Sequence, residues 1–130
     1  GFQLTIGSPE TCQPPNDFLD RIDAPNITIA SDPAEAVAGA DVINTDVWLS
    51  MGQEGQADKE AQLAPYQVNK TLLKKAAPQH IVLHCLPAYR DKEISEDVLE
   101  LHADTIFQQA ENRLHIQKGI MARMAKHRVI

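Results

Sequence analysis

The sequence predicts an α/β fold: an open, mostly parallel, doubly wound sheet with helices on both faces. Two observations predict it. Short runs of β-branched and aliphatic residues recur along the chain, and segments with helical spacing of apolar residues lie between them. Strands that alternate with helices pair in parallel through crossover connections, which are right-handed. A third observation agrees. The run His80-Ile81-Val82-Leu83-His84 is mostly apolar, as expected of a parallel strand buried on both faces.

In chain order, the first strand is predicted over 2–7, from Phe2-Gln3-Leu4-Thr5-Ile6-Gly7. A turn-rich stretch ends at Pro14-Pro15, and prolines suit a helix start because their missing N–H would have no partner there. Asn16 to Ile22 reads as a short amphipathic helix, and Ile27-Thr28-Ile29-Ala30 as the second strand. Ser31-Asp32-Pro33 signals a helix start, followed by an Ala-rich helix over 34–40. The third strand is expected over 41–45 and a long polar loop over 46–63. Val68, Leu72 and Leu73 repeat at helical spacing within a helix over 65–77. After the fourth strand, at 80–84, comes a short helix over 95–101 with Ser95 as its cap. Asp104-Thr105-Ile106-Phe107 predicts a fifth strand, and a last helix runs from Glu111 to about Lys126.

A chain of 130 residues is about one domain's worth, and no internal repeat breaks it. Its net charge of −6 argues against a nucleic-acid partner or an anionic membrane, since either selects a basic patch. A small anionic ligand remains compatible, because one arginine or a helix N-terminus can hold it. No apolar run reaches the ~18 residues of a membrane span. Cys12 and Cys85 form neither a disulfide framework nor a Cys-x-x-Cys pair, so a reduced, cytoplasmic protein is expected.

In an open parallel sheet, ligands bind beyond the C-terminal ends of the strands. That rule selects 46–52 after the third strand, His84-Cys85-Leu86-Pro87 after the fourth, and Glu111-Asn112-Arg113-Leu114-His115 after the fifth. Together they offer a carboxylate, a hydroxyl, a thiol, an imidazole and a guanidinium on one edge. Each also has a structural reading. Asp46 suits a turn, Ser50 loop polarity, Cys85 a small buried hydrophobe and His84 a satisfied core histidine. Arg113 near a helix start opposes the dipole, which a bound anion would offset. The spacings of His80, His84, His102, His115 and His127 match no zinc motif, so no metal is expected. Neither a Gly-x-Gly-x-x-Gly nor a Walker sequence is present, and no cofactor is expected.

At these segments the sequence resembles the aspartate/ornithine carbamoyltransferase family. The residues that carry the likeness are Asp46-Val47-Trp48-x-Ser50-Met51-Gly52-Gln53-Glu54, His84-Cys85-Leu86-Pro87 and Glu111-Asn112-Arg113-Leu114-His115-x-Gln117-Lys118. Ser31-Asp32-Pro33-x-Glu35-Ala36 extends it towards the N-terminus. The aspartate branch carries His-Pro-Leu-Pro and lacks the Ser-Met-Gly loop, so the likeness is to the ornithine branch.

The resemblance implies transfer of a carbamoyl group from carbamoyl phosphate to the δ-amine of L-ornithine, giving citrulline and phosphate in arginine metabolism. It implies that Asp46, Ser50 and Met51 hold the amino-acid end of ornithine, and that Asp46 and Cys85 lie near the δ-amine. Cys85 and Leu86 would line the carbamoyl group, His84 would donate toward its carbonyl oxygen, and Arg113 would bind carbamoyl phosphate. The loop over 49–56 would close as a lid.

Family members also carry a carbamoyl-phosphate-binding domain, with Ser-x-Arg-Thr and His-Pro-x-Gln motifs absent from residues 1–130. Their ornithine domain opens with one further strand and helix, which this sequence lacks. The expectation is therefore an ornithine-binding domain, incomplete at its N-terminus and inactive alone, whose parent enzyme is a homotrimer or a multiple of trimers. The competing expectation is a non-catalytic ornithine-binding or interaction domain that retains the motifs.

Overall fold

The structure is a computed structural model and describes residues 1–22, 25–49 and 57–127. Its strands are β1 (Leu4–Gly7), β2 (Ile27–Ala30), β3 (Val42–Thr45) and β4 (Ile81–His84). Its helices are α1 (Asn16–Ile22), α2 (Pro33–Ala36), α3 (Ala57–Leu63), α4 (Lys70–Leu73), α5 (Glu96–Leu101) and α6 (Ala103–Lys126). Strands and helices alternate and every strand pair is parallel, so the α/β class holds.

Among the described residues, the four strands form two parallel ladders. β1 pairs β2 from Leu4 opposite Ile27 to Gly7 opposite Ala30. β3 pairs β4 from Val42 opposite Ile81 to Thr45 opposite His84. Between the ladders lies a cavity of ≈ 1850 Å³, lined by residues of both β1 and β3 and reaching Asp46. The facing strands are correspondingly open: Leu4 is 39% and Val42 51% exposed. β4 is buried at Val82 and His84 but not at Ile81 and Leu83, so the expectation of burial on both faces fails.

The core gathers Ile43, Val82, Ile94, Val98, Leu99 and Ile106 beside the β3–β4 ladder, with α6 packed along β4. On the other ladder α2 packs against β1 and β2. Gly7 permits that approach, because a Cβ there would lie 2.7 Å from Ala36 Cβ. Asp32 caps α2 by accepting from Ala34 N–H, with Pro33 in the first turn, as the sequence signals.

Several elements differ from expectation. The fifth strand does not form: Asp104–Phe107 belongs to α6, which runs unbroken over 24 residues. The Thr-Ile-Phe triplet looks like a strand because β-branched and aromatic residues favour one. The burial pattern is helical instead, with Ile106 buried, Gln109 and Ala110 half-buried, and Phe107 60% exposed.

The helix expected over 65–77 shortens to α4. Asn69 starts it by accepting from Thr71 N–H (3.1 Å) and Leu72 N–H (3.0 Å). Part of the expected loop over 46–63 is helical, as α3. The helix expected over 34–40 stops at Ala36, and Gly39 turns the chain at φ 67°. Ser95 stands at the N-cap of α5, as expected, but its hydroxyl makes no capping bond and donates to Asp97 Oδ1 (2.6 Å) instead.

Candidate functional site

Pairing register builds the centre of the site. β3 and β4 end level, with Thr45 opposite His84, so the next residues, Asp46 and Cys85, leave the ladder side by side at its C-terminal edge. There the Cys85 thiol donates to Asp46 Oδ1 at 3.2 Å. The same oxygen accepts from Val47 N–H at 2.7 Å, which holds the carboxylate over its own turn. Asp46 is exposed and Cys85 half-buried, so the pair is open to a ligand.

The thiol proton is held more tightly than in a free cysteine. Burial pushes the Cys85 pKa up, and the hydrogen bond to Asp46 and its negative charge add to the rise. The positive charge of Arg113 acts in the opposite sense. Arg113 is thus brought to the neighbourhood of Cys85, though not by the route its sequence position suggested. It sits within α6, about 15 Å from the helix start at ~1.5 Å rise per residue. The argument from the helix dipole therefore lapses, since that field fades within the first turn. Packing of α6 along β4 carries Arg113 toward the site instead.

His84 is fully buried. Its Nδ1 accepts from Leu86 N–H at 2.9 Å, and its Nε2 lies 3.1 Å from Glu93 Oε1. A ring nitrogen that accepts a backbone N–H carries no proton of its own, so the ring is the neutral Nε2–H tautomer donating to Glu93. Both nitrogens are committed, and neither offers an N–H to a substrate carbonyl oxygen. Leu86 is held in the left-handed region, at φ 54°. Ser50 and Met51, and all but the first residue of the loop expected over 49–56, lie outside the described residues.

Asp46, His84 and Cys85 each offer one ligand atom, all within 4.8 Å of one another. That set suits a zinc-like ion poorly. Ligation through Nδ1 would displace the Leu86 N–H, and ligation through Nε2 the Glu93 contact. Asp46 and Cys85 alone fall short of the three or four protein ligands such ions take.

Sequence reasoning missed Glu93. Flanked by Lys92, it reads as a solvated charge, yet it is fully buried. Only the return of the chain past β4 reveals it, and no local signal marks it. No described helix is long and apolar enough to cross a membrane.

Comparison with known proteins identifies the family. The model of the aspartate/ornithine carbamoyltransferase Asp/Orn-binding domain matches residues 1–124. An ornithine carbamoyltransferase of Akkermansia muciniphila is 56% identical over 129 residues, covering 98% of this chain and 42% of that protein. One from Sorangium cellulosum is 47% identical over 122 residues, covering 92% of this chain and 39% of that protein. Among solved structures, the anabolic ornithine carbamoyltransferase of Campylobacter jejuni superposes with a TM-score of 0.87 at 32% identity, covering 98% of this chain and 44% of that one. The Pyrococcus furiosus enzyme gives 0.80 at 38% identity, covering 94% and 41%. The chain thus spans less than half the length of the relatives it matches. Matched in sequence along nearly its whole length and in fold to solved members, the chain belongs to the aspartate/ornithine carbamoyltransferase family, whose Asp/Orn-binding domain it represents.

Proposed function

We propose that this chain is the ornithine-binding part of an ornithine carbamoyltransferase, which moves the carbamoyl group of carbamoyl phosphate to the δ-amine of L-ornithine in arginine metabolism. The observation that carries the reading is the Asp46–Cys85 pair at the C-terminal ends of two adjacent parallel strands, within the field of Arg113.

The chemistry fits these groups. The δ-nitrogen attacks the carbamoyl carbon, the bond from that carbon to the phosphate oxygen breaks, and phosphate leaves with the electron pair. The amine must shed a proton, and Asp46 beside it is an acceptor. Cys85, holding its own proton, orients Asp46 and lines the carbamoyl group with Leu86. Arg113 offers a guanidinium to the phosphate. Ser50 and Met51 are assigned the α-amino and α-carboxylate groups of ornithine. Most of the rate then comes from aligning two substrates in one pocket.

Because these 130 residues span less than half the length of the enzymes they match, they are proposed to need the remainder of such an enzyme for turnover. The open edges of β1 and β3 support a further part of this reading: the space between them seats an additional strand of the family's sheet. A cytoplasmic parent enzyme, assembled as a homotrimer or a multiple of trimers, completes the proposal.

The test combines calorimetry and reconstitution. The chain, mixed with a carbamoyl-phosphate-binding segment from the Akkermansia relative, is assayed for the carbamoylated product and for phosphate with ornithine, aspartate or putrescine as acceptor. Carbamoylation of ornithine, to citrulline, and of neither other acceptor is expected. Ornithine binding without citrulline would favour the non-catalytic alternative, and no binding at all would overturn the proposal.

A further inference from the structure

We propose that Glu93 is a positioning residue for this site, acting through the imidazole of His84 to fix the Leu86 backbone and, with it, the Cys85 thiol. The inference rests on the transferase reading only for its consequence. Its physical content concerns this chain alone.

Glu93 and His84 are both fully buried, and a carboxylate is seldom placed in such a spot without a task for its oxygens. Oε1 accepts twice, from His84 Nε2–H (3.1 Å) and from Tyr89 N–H (2.7 Å). It thereby ties the end of β4 to the loop that follows. The backbone of Glu93 is itself anchored, since its carbonyl accepts from Val68 N–H at 2.9 Å. The neighbouring Ile94 is fully buried. The brace is therefore fixed at its far end.

The near end needs a brace. Leu86 sits at φ 54°, a region leucine avoids because its Cβ crowds the backbone. Such a conformation persists only where the surroundings over-determine it. The Leu86 N–H bond to His84 Nδ1 supplies that restraint, and it requires the Nε2–H tautomer. Glu93 selects this tautomer by accepting at Nε2. Cys85 lies between the two restrained residues, so its 3.2 Å contact with Asp46 depends on a relay it does not touch.

Two measurements on the full 130-residue chain test this. In the first, long-range ¹H–¹⁵N correlation spectra of histidine-labelled wild-type protein at pH 7 report the His84 ring. The Nε2–H tautomer is expected, and an Nδ1–H tautomer or an imidazolium would overturn the proposal without any variant. In the second, iodoacetamide labelling of Cys85 and Cys12 is followed by peptide mass spectrometry. Glu93→Leu should change the Cys85 rate by roughly fivefold or more while Cys12 is unaffected, since thiol reactivity follows its immediate surroundings. Glu93→Gln, which keeps an accepting Oε1, should stay within about twofold of wild type on both thiols.

An unchanged Cys85 in Glu93→Leu, or a Glu93→Gln chain as disturbed as Glu93→Leu, would overturn the assignment. If Glu93→Leu unfolds, Cys12 labels faster too, and the wild-type spectrum with the Glu93→Gln rates decides. Failure here with ornithine still bound would remove the role of Glu93 alone. The expected spectra and rates with no ornithine binding would remove the transferase reading alone.

Discussion

Truncating Ile106 to alanine tests the element that differs most from its sequence expectation. Ile106 is fully buried on the face of α6 turned to the core. Ile106→Ala removes three carbons, worth about 2.4 kcal/mol in transfer at ~0.8 kcal/mol each. The cavity left behind adds to this, so the expected loss is about 3–4 kcal/mol, inside the ~2–5 kcal/mol span of such substitutions. Phe107→Ala is the control. Its ring is 60% exposed, and its removal should cost under ~1 kcal/mol.

Urea titrations followed by circular dichroism give both differences from the midpoints, provided the slopes agree. Comparable losses at 106 and 107, or a loss below ~1 kcal/mol at 106, would refute the packing argument. The consequence reaches the site. The helix that Ile106 fastens to the core also carries Arg113, so a loosened α6 should weaken the effect of that guanidinium on Cys85.

Three further outcomes are expected. His102 has its pKa lowered by burial first and by the neighbouring His80 second. The folded chain therefore resists its protonation, and stability present above pH 6.5 should fall as pH drops below that value; urea midpoints at pH 7.5 and 5.5 measure the loss, which His102→Gln should abolish. Asp46→Asn takes away the charge that helps raise the Cys85 pKa, so the rise of iodoacetamide labelling with pH should move to lower pH, whereas Arg113→Gln should move it higher. Gly7→Ala drives a Cβ to 2.7 Å from Ala36 Cβ and should cost about 1–3 kcal/mol by overpacking, read as a lowered urea midpoint.

Local composition was enough to mark β1 to β4, the Asp32-Pro33 helix start and the two segments that follow β3 and β4. These features depend on neighbours one to four residues away, which a sequence displays directly. The triplet Thr105-Ile106-Phe107 was misread for the same reason, since its strand preference is local and the helix that overrides it is not. The segment around Arg113 drew attention by its residues, while its position came from α6 lying along β4.

By itself the sequence determined the class of fold, the residues offered to the site and the family likeness they carry. Only the tertiary structure decided that Thr45 stands opposite His84, and so that Asp46 and Cys85 meet. It alone turned Glu93 from an apparent surface charge into the buried partner of His84. The physical reason is range. Propensity and patterning act between near neighbours in the chain, whereas strand register and the burial of a charge are set by segments that come together only when the whole chain packs.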